Sequence, residues 1–143
     1  RSSKKMAASA CDSCLSKKNS IKDGVTNDNW TPLHFAAQND HGSCLSILLD
    51  DGAQKEAVDE TQRTPLHISA QNGNDSCLKL LLDAGANKEA VDKNYQTPLH
   101  WAAEKGHDSY LKLLLDAGAN MEAVDKRNNT PLIWAAGNGH NEI

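Results

Sequence analysis

The sequence predicts an all-α solenoid of stacked helix-turn-helix units joined by hairpin-like loops. Three observations lead there. Thr31-Pro32-Leu33-His34 returns as Thr64-Pro65-Leu66-His67, as Thr97-Pro98-Leu99-His100 and as Thr130-Pro131-Leu132-Ile133, always 33 residues on. Other landmarks keep that step: Glu-Ala-Val-Asp stands at 56–59, 89–92 and 122–125. Each unit also carries leucines at i, i+3 and i+4: Leu45, Leu48 and Leu49, then Leu78, Leu81 and Leu82, then Leu111, Leu114 and Leu115. That spacing makes one apolar stripe on a helix. A unit this small cannot bury its own stripe, so the units must stack.

The chain divides accordingly. Residues 1–25 read as a degenerate half-repeat. Asp12-Ser13-Cys14-Leu15-Ser16 matches Gly42-Ser43-Cys44-Leu45-Ser46, but Lys17, Lys18 and Asn19 stand where leucines appear later. A polar outer face of this kind is what the end of a solenoid requires. Full repeats follow at 26–58, 59–91 and 92–124, with a partial one at 125–143. The last stops as its second helix begins, so a fragment of a longer array, or of a longer protein carrying other domains, is expected.

Within each repeat the punctuation has physical reasons. Threonine caps a helix N-terminus, and proline suits the first helical position because its missing N–H is not needed there. The pairs Ala36-Ala37, Ser69-Ala70, Ala102-Ala103 and Ala135-Ala136 are small enough to let neighbouring first helices approach closely. Gly73, Gly106 and Gly139 stop the first helix; Gly52, Gly85 and Gly118 stop the second.

The period, the Thr-Pro-Leu-His-x-Ala-Ala opening, the Gly-His turn and the Leu-Leu-x-x-Gly-Ala ending resemble the ankyrin repeat across residues 25–143. The resemblance implies an ankyrin-repeat solenoid whose His34, His67 and His100 are structural and hydrogen-bond backbone near the turns. It also implies a protein-protein interaction module that binds through hairpin tips and the concave face of the first helices. Carried over position by position, the protein-binding residues are Asn27, Asp28 and Trp30; Glu60, Thr61 and Arg63; Lys93, Asn94, Tyr95, Gln96 and Lys105; and Lys126 and Arg127. The alternative is a targeting or regulatory domain of a larger enzyme such as a kinase, acyltransferase or ubiquitin ligase.

The sequence departs from the family at several places. Glycine is usual at the hairpin tip, where this chain has Asn29, Gln62, Tyr95 and Asn128. Gln and Tyr tolerate a left-handed backbone poorly, so a somewhat different turn is expected. Asp40 replaces a helix-ending glycine, and Asn74 replaces the histidine of Gly-His. Glu56, Glu89 and Glu122 stand where the family often carries a hydroxylatable asparagine, so that modification is not expected at them.

Composition narrows the function. The formal net charge is −4, whereas a general phosphate-backbone binder shows a basic excess. No window holds 18 consecutive apolar residues, so no membrane span is expected, and Met6 to Ala10 is too short for a signal-peptide core. Cys44 and Cys77 share one repeat position, on helices that pack about 8–10 Å apart, beyond the ~7 Å Cα separation a disulfide needs. They read as buried thiols in a reducing compartment, cytoplasmic or nuclear. Cys11 and Cys14 form a C-x-x-C without a second half-site, and the match of Cys14 to Cys44 favours a core thiol. Repeat-spaced histidines about 10 Å apart cannot share a zinc ion, whose ligands lie at ~2 Å. His41, His107 and His140 begin second helices and are read as structural. Recurring carboxylates such as Asp59 and Asp92 suit turns better than acid–base chemistry. The expectation is a monomeric, non-catalytic module without metal or cofactor, whose partner is another protein and neither nucleic acid nor membrane. Trp101 and Trp134 could pack between first helices or form a contact ridge, with packing favoured. Trp30 and Tyr95 are the stronger interface candidates.

Overall fold

The structure is a computed structural model that describes residues 30–137. The half-repeat read at 1–25, Asn27, Asp28, Asn29, Cys11, Cys14, Gly139 and His140 lie outside these residues. Four inner helices, α1 (Pro32–Gln38), α3 (Pro65–Asn72), α5 (Pro98–Lys105) and α7 (Pro131–Gly137), alternate with three outer helices, α2 (Gly42–Asp50), α4 (Asp75–Asp83) and α6 (Asp108–Asp116). Inner helices pack on inner, outer on outer, and each inner helix on the outer helix that follows it. Two helical layers with loops projecting from one edge are therefore the whole architecture among the described residues, as the sequence predicts.

Each inner helix starts by one device. The Thr64 hydroxyl accepts from the His67 backbone N–H, and the His67 ring accepts in return from the Thr64 N–H at 3.1 Å. Thr31 with His34, and Thr97 with His100, repeat it. This is a capping box in which histidine does the work more often done by Glu or Gln. The core is aliphatic and small: Leu33, Leu66 and Leu99, Ala36, Ala70 and Ala102, and the outer-helix leucines Leu45, Leu78 and Leu114 are all buried. Cys44 and Cys77 are buried in the same core.

The third copy of the cysteine position holds Tyr110, fully buried. Its hydroxyl donates to the Leu66 carbonyl at 2.9 Å and lies 2.6 Å from the Ser69 hydroxyl. Ser69 is the one serine in the row of small inner-helix residues. The larger side chain and its polar neighbour thus belong together, since a buried phenol needs a partner. Burial pushes the Tyr110 hydroxyl far above its ordinary pKa.

The first helices turn into the second through a left-handed residue. Gly73 and Gly106 supply it at φ 68° and 73°, and Asp40 adopts it at φ 56°. At Gly73 a side chain is excluded twice, because an added Cβ would also lie 2.7 Å from His107 Nδ1. Asn74 fills the missing histidine's role: it donates to the Ala37 carbonyl as His107 Nε2 donates to that of Gln71.

Candidate functional site

Among the described residues the projecting edge is built from three hairpins, around Asp59, Asp92 and Asp125. Each aspartate is buried, at 3, 5 and 6% exposure, in a loop that would otherwise be held only by its own turn. Asp59 closes the turn through its backbone, with Gln62 N–H donating to its carbonyl and its own N–H donating to Arg63 O. Its Oδ1 then accepts from the N–H groups of Thr61 and Arg63, both at 2.9 Å. Asp92 and Asp125 repeat this with Asn94 and Gln96, and with Arg127 and Asn129.

The expected change of turn does not occur. Gln62, Tyr95 and Asn128 take φ of 67°, 61° and 63°, the left-handed turn glycine would make. The penalty is about 1–2 kcal/mol for a residue with a Cβ. Two charge-assisted hydrogen bonds to Oδ1, each worth about 1.5–3 kcal/mol, outweigh it.

Successive hairpins are tied together. Lys93 N–H donates to Thr61 O at 2.9 Å, and Lys126 N–H to Asn94 O at 2.8 Å. The histidines add a second tie one layer deeper. His34 Nε2 lies 2.8 Å from Arg63 O, His67 Nε2 from Gln96 O and His100 Nε2 from Asn129 O. A carbonyl only accepts, so Nε2 carries the proton and Nδ1 is the bare nitrogen that receives the threonine N–H; the tautomer is assigned from this network. Protonating Nδ1 would set N–H against N–H. Burial accordingly lowers the pKa of His34 and of His67, outweighing the carbonyl bonds that raise it.

The second aspartate oxygen, Oδ2, meets one set of donors at Asp59 and another at Asp92 and Asp125. Asp59 Oδ2 receives Arg63 Nε and Nη2 at 2.9 Å, and Trp30 Nε1 at 3.0 Å from the repeat before. Asp92 Oδ2 receives Trp101 Nε1 at 2.9 Å, and Asp125 Oδ2 receives Trp134 Nε1 at 2.8 Å. Burial pushes the Asp59 carboxyl up, but the Arg63 backbone bond, the Thr61 hydroxyl and the Arg63 charge together hold it below the usual carboxylate range. At Asp125 burial likewise opposes, and the Asn129 backbone, the Trp134 indole and the Arg127 backbone prevail to lower it.

A family model for ankyrin repeats, three copies long, matches residues 5–92 and again 85–143. The chain belongs to the ankyrin-repeat family. No curated protein matches it closely enough to count as a relative. Ankyrin repeats are in general protein-interaction modules and typically non-catalytic. Among the described residues, no three His, Cys, Asp or Glu side chains gather where they could hold a metal ion, and no helix is long and apolar enough to cross a membrane.

On this ankyrin scaffold the sequence-derived site residues separate into two kinds. Glu60, Thr61, Lys93, Asn94, Tyr95, Lys105, Lys126 and Arg127 are exposed, Tyr95 at 57%. The side chains of Lys93, Lys105, Lys126 and Arg127 make no hydrogen bond or ion pair among the described residues. Three others are not free surface. Gln96 is buried at 6% exposure. Arg63 is half-buried, held by Asp59 and by Gln71 Oε1 at 3.0 Å. Trp30 is half-buried too: its ring stacks on His34 at 5.7 Å, meets Phe35 edge-on at 5.0 Å and lies under the Arg63 guanidinium. Trp30, ranked above Trp101 and Trp134 from the sequence, is engaged in the same way as they are. All three indoles brace a hairpin aspartate and leave part of a ring exposed.

Two clefts lie between consecutive hairpins. One, of about 260 Å³, is lined by Thr61, Arg63, Asp92, Lys93, Asn94 and Trp101. The next, of about 550 Å³, is lined by Asn94, Gln96, Asp125, Lys126, Arg127 and Trp134. Sequence reasoning assigned Asp92 to a turn but did not place it or Asp125 in these clefts. An aspartate that recurs four residues before each Thr-Pro dipeptide's preceding residue reads as an Asx-type turn anchor.

Proposed function

We propose that this ankyrin array binds a partner protein through the hairpin tips and the inner-helix face of its third and fourth repeats. One observation carries the reading. Lys93, Tyr95, Lys126 and Arg127 project into solvent with no side-chain partner among the described residues, on backbones fixed by buried aspartates and by tip-to-tip hydrogen bonds. Rigid presentation of long side chains lowers the ordering cost of binding, and Tyr and Arg are favoured as anchors. The burial of Cys44 and Cys77 in the core at one repeat position supports a reducing compartment, cytoplasmic or nuclear.

The test uses a photo-crosslinking phenylalanine analogue at Tyr95 on the tips, or at Lys112 on the exposed side of α6. A partner bound as proposed is captured from Tyr95 and not from Lys112. An excess of unlabelled wild-type protein abolishes capture, and an excess of the Lys93→Glu/Lys126→Glu variant does not. Equal capture from Lys112, or equal competition by that variant, contradicts the reading.

A further inference from the structure

The protein is acidic overall, yet its clefts are not. Apart from Glu60 on the Asp59 hairpin, exposed acids gather away from the tips: Asp50, Asp83 and Asp116 end the outer helices, and Glu122 lies in the segment that leads to the last hairpin. The tip carboxylates Asp92 and Asp125 are buried and hydrogen-bonded by backbone and indole N–H groups. What the hairpins around Asp92 and Asp125 offer outward is Lys93, Lys126 and Arg127.

The clefts also repeat. Each has an indole on its wall, Trp101 or Trp134, whose N–H is engaged inward so that ring carbon borders the cleft. Each has a cation beside it, Lys93 in one, Lys126 and Arg127 in the other, while Arg63 on the first wall is paired with Asp59. Neighbouring inner helices pack about 8–10 Å apart, so the two clefts recur at that distance. A ligand that uses both needs like groups at the same interval, on one face. A β-strand places residues i and i+3 on opposite faces. A polyproline-II chain has three residues per turn and advances about 9 Å per turn, so i and i+3 share a face at the required step.

Resting on the protein-binding reading above, we infer that the occupant is an acidic peptide segment in polyproline-II conformation, with carboxylate side chains three residues apart. The carboxylates meet Lys93 in one cleft and Lys126 with Arg127 in the next. Intervening prolines or apolar residues lie against the exposed ring carbon of Trp101 and Trp134, a contact that aromatic-lined grooves make with such chains. Ion pairs at the rim give register and salt sensitivity.

The experiment titrates the full chain, following tryptophan fluorescence, with capped synthetic peptides built on Glu-Pro-Ala repeats. Comparison peptides carry Gln for Glu, or two- and four-residue Glu spacings with the same composition. Carboxylates at three-residue spacing should bind about 10-fold tighter than any comparison peptide. The preference should shrink with added salt and vanish in Lys93→Gln/Lys126→Gln, whose thermal midpoint should stay unchanged. Equal affinity for the Gln peptide or the other spacings overturns the inference, as does tighter binding of a thymidine dodecanucleotide. A randomised peptide library separates the two levels. Selected binders that depend on Lys93 and Lys126 but lack spaced acids overturn this inference and leave the protein-binding reading standing. Binders indifferent to those lysines and to Tyr95 overturn both.

Discussion

The hairpins around Asp59 and Asp92 share one backbone and differ in what completes them. Both close on a left-handed residue, and both place Oδ1 on two backbone N–H groups. At Asp59 the other oxygen takes a guanidinium and an indole from the preceding repeat. At Asp92 it takes an indole from its own inner helix. The difference decides where positive charge is available. Arg63 is consumed inside the first hairpin, whose tip then shows Glu60, while neutral Trp101 braces the second and leaves Lys93 unengaged. The repeat fixes the turn; the donor to one carboxylate oxygen sets the electrostatics of the surface.

Removing the carboxylates is the strongest way to break this comparison. Asp59→Ala strands two backbone N–H groups, a half-buried guanidinium and an indole N–H, and should lower unfolding stability by about 3–4 kcal/mol. Asp92→Ala strands only neutral donors and should lower it by about 2–3 kcal/mol. Urea unfolding followed by circular dichroism measures both, and the reverse order would mean Arg63 is not the stronger brace.

Acid should loosen both hairpins from the layer beneath. His34 and His67 have lowered pKa values when folded, so the unfolded chain binds protons that the folded rings refuse. Stability from this source is full above about pH 6.5, the unfolded value, and declines as pH falls below it. Asp59 and Asp125 are also lowered, and their share is full above about pH 4 and declines below it. The urea midpoint should therefore fall from pH 7.5 to 5.5 and again to 3.5. A flat first interval would contradict the neutral-tautomer assignment.

Smaller effects sharpen the same contrast. Arg63→Met should cost about 1–2 kcal/mol and shift the Asp59 part of the acid limb to higher pH, whereas Trp101→Phe should cost about 1 kcal/mol. The mildest changes should improve the protein. Gln62→Gly and Tyr95→Gly relieve the left-handed penalty and should each add up to about 1 kcal/mol, less the greater freedom of glycine when unfolded. Equal gains are expected because the two turns are equal, and thermal melting reads them.

Most of the fold was legible in the sequence because each landmark has a local cause that recurs in register. Threonine and proline start the helix, small residues admit its neighbour, and leucines mark the buried stripe. The structural role of the histidines was available through family resemblance, but not the tautomer, which depends on a carbonyl 29 residues away. The site was less legible. A tip residue and a brace look alike in one dimension, and so Arg63, Gln96 and Trp30 stood beside Lys93 and Tyr95. What separates them is burial and the bonds to a hairpin aspartate: Trp30 and Arg63 reach Asp59 Oδ2, and the Gln96 N–H reaches Asp92 Oδ1. The turn at Tyr95 was misread for a related reason. Propensity weighs the residue alone, while the buried carboxylate two and four residues from the N–H groups it accepts overrides it.

The most direct measurement is an amide and indole chemical-shift map of the ¹⁵N-labelled protein with the spaced-glutamate peptide. Shifts concentrated at Lys93, Asn94, Lys126, Arg127 and the Trp101 and Trp134 indoles are expected. Shifts centred on the outer helices, at Lys79 and Lys112, would contradict the tips and inner face as the binding surface.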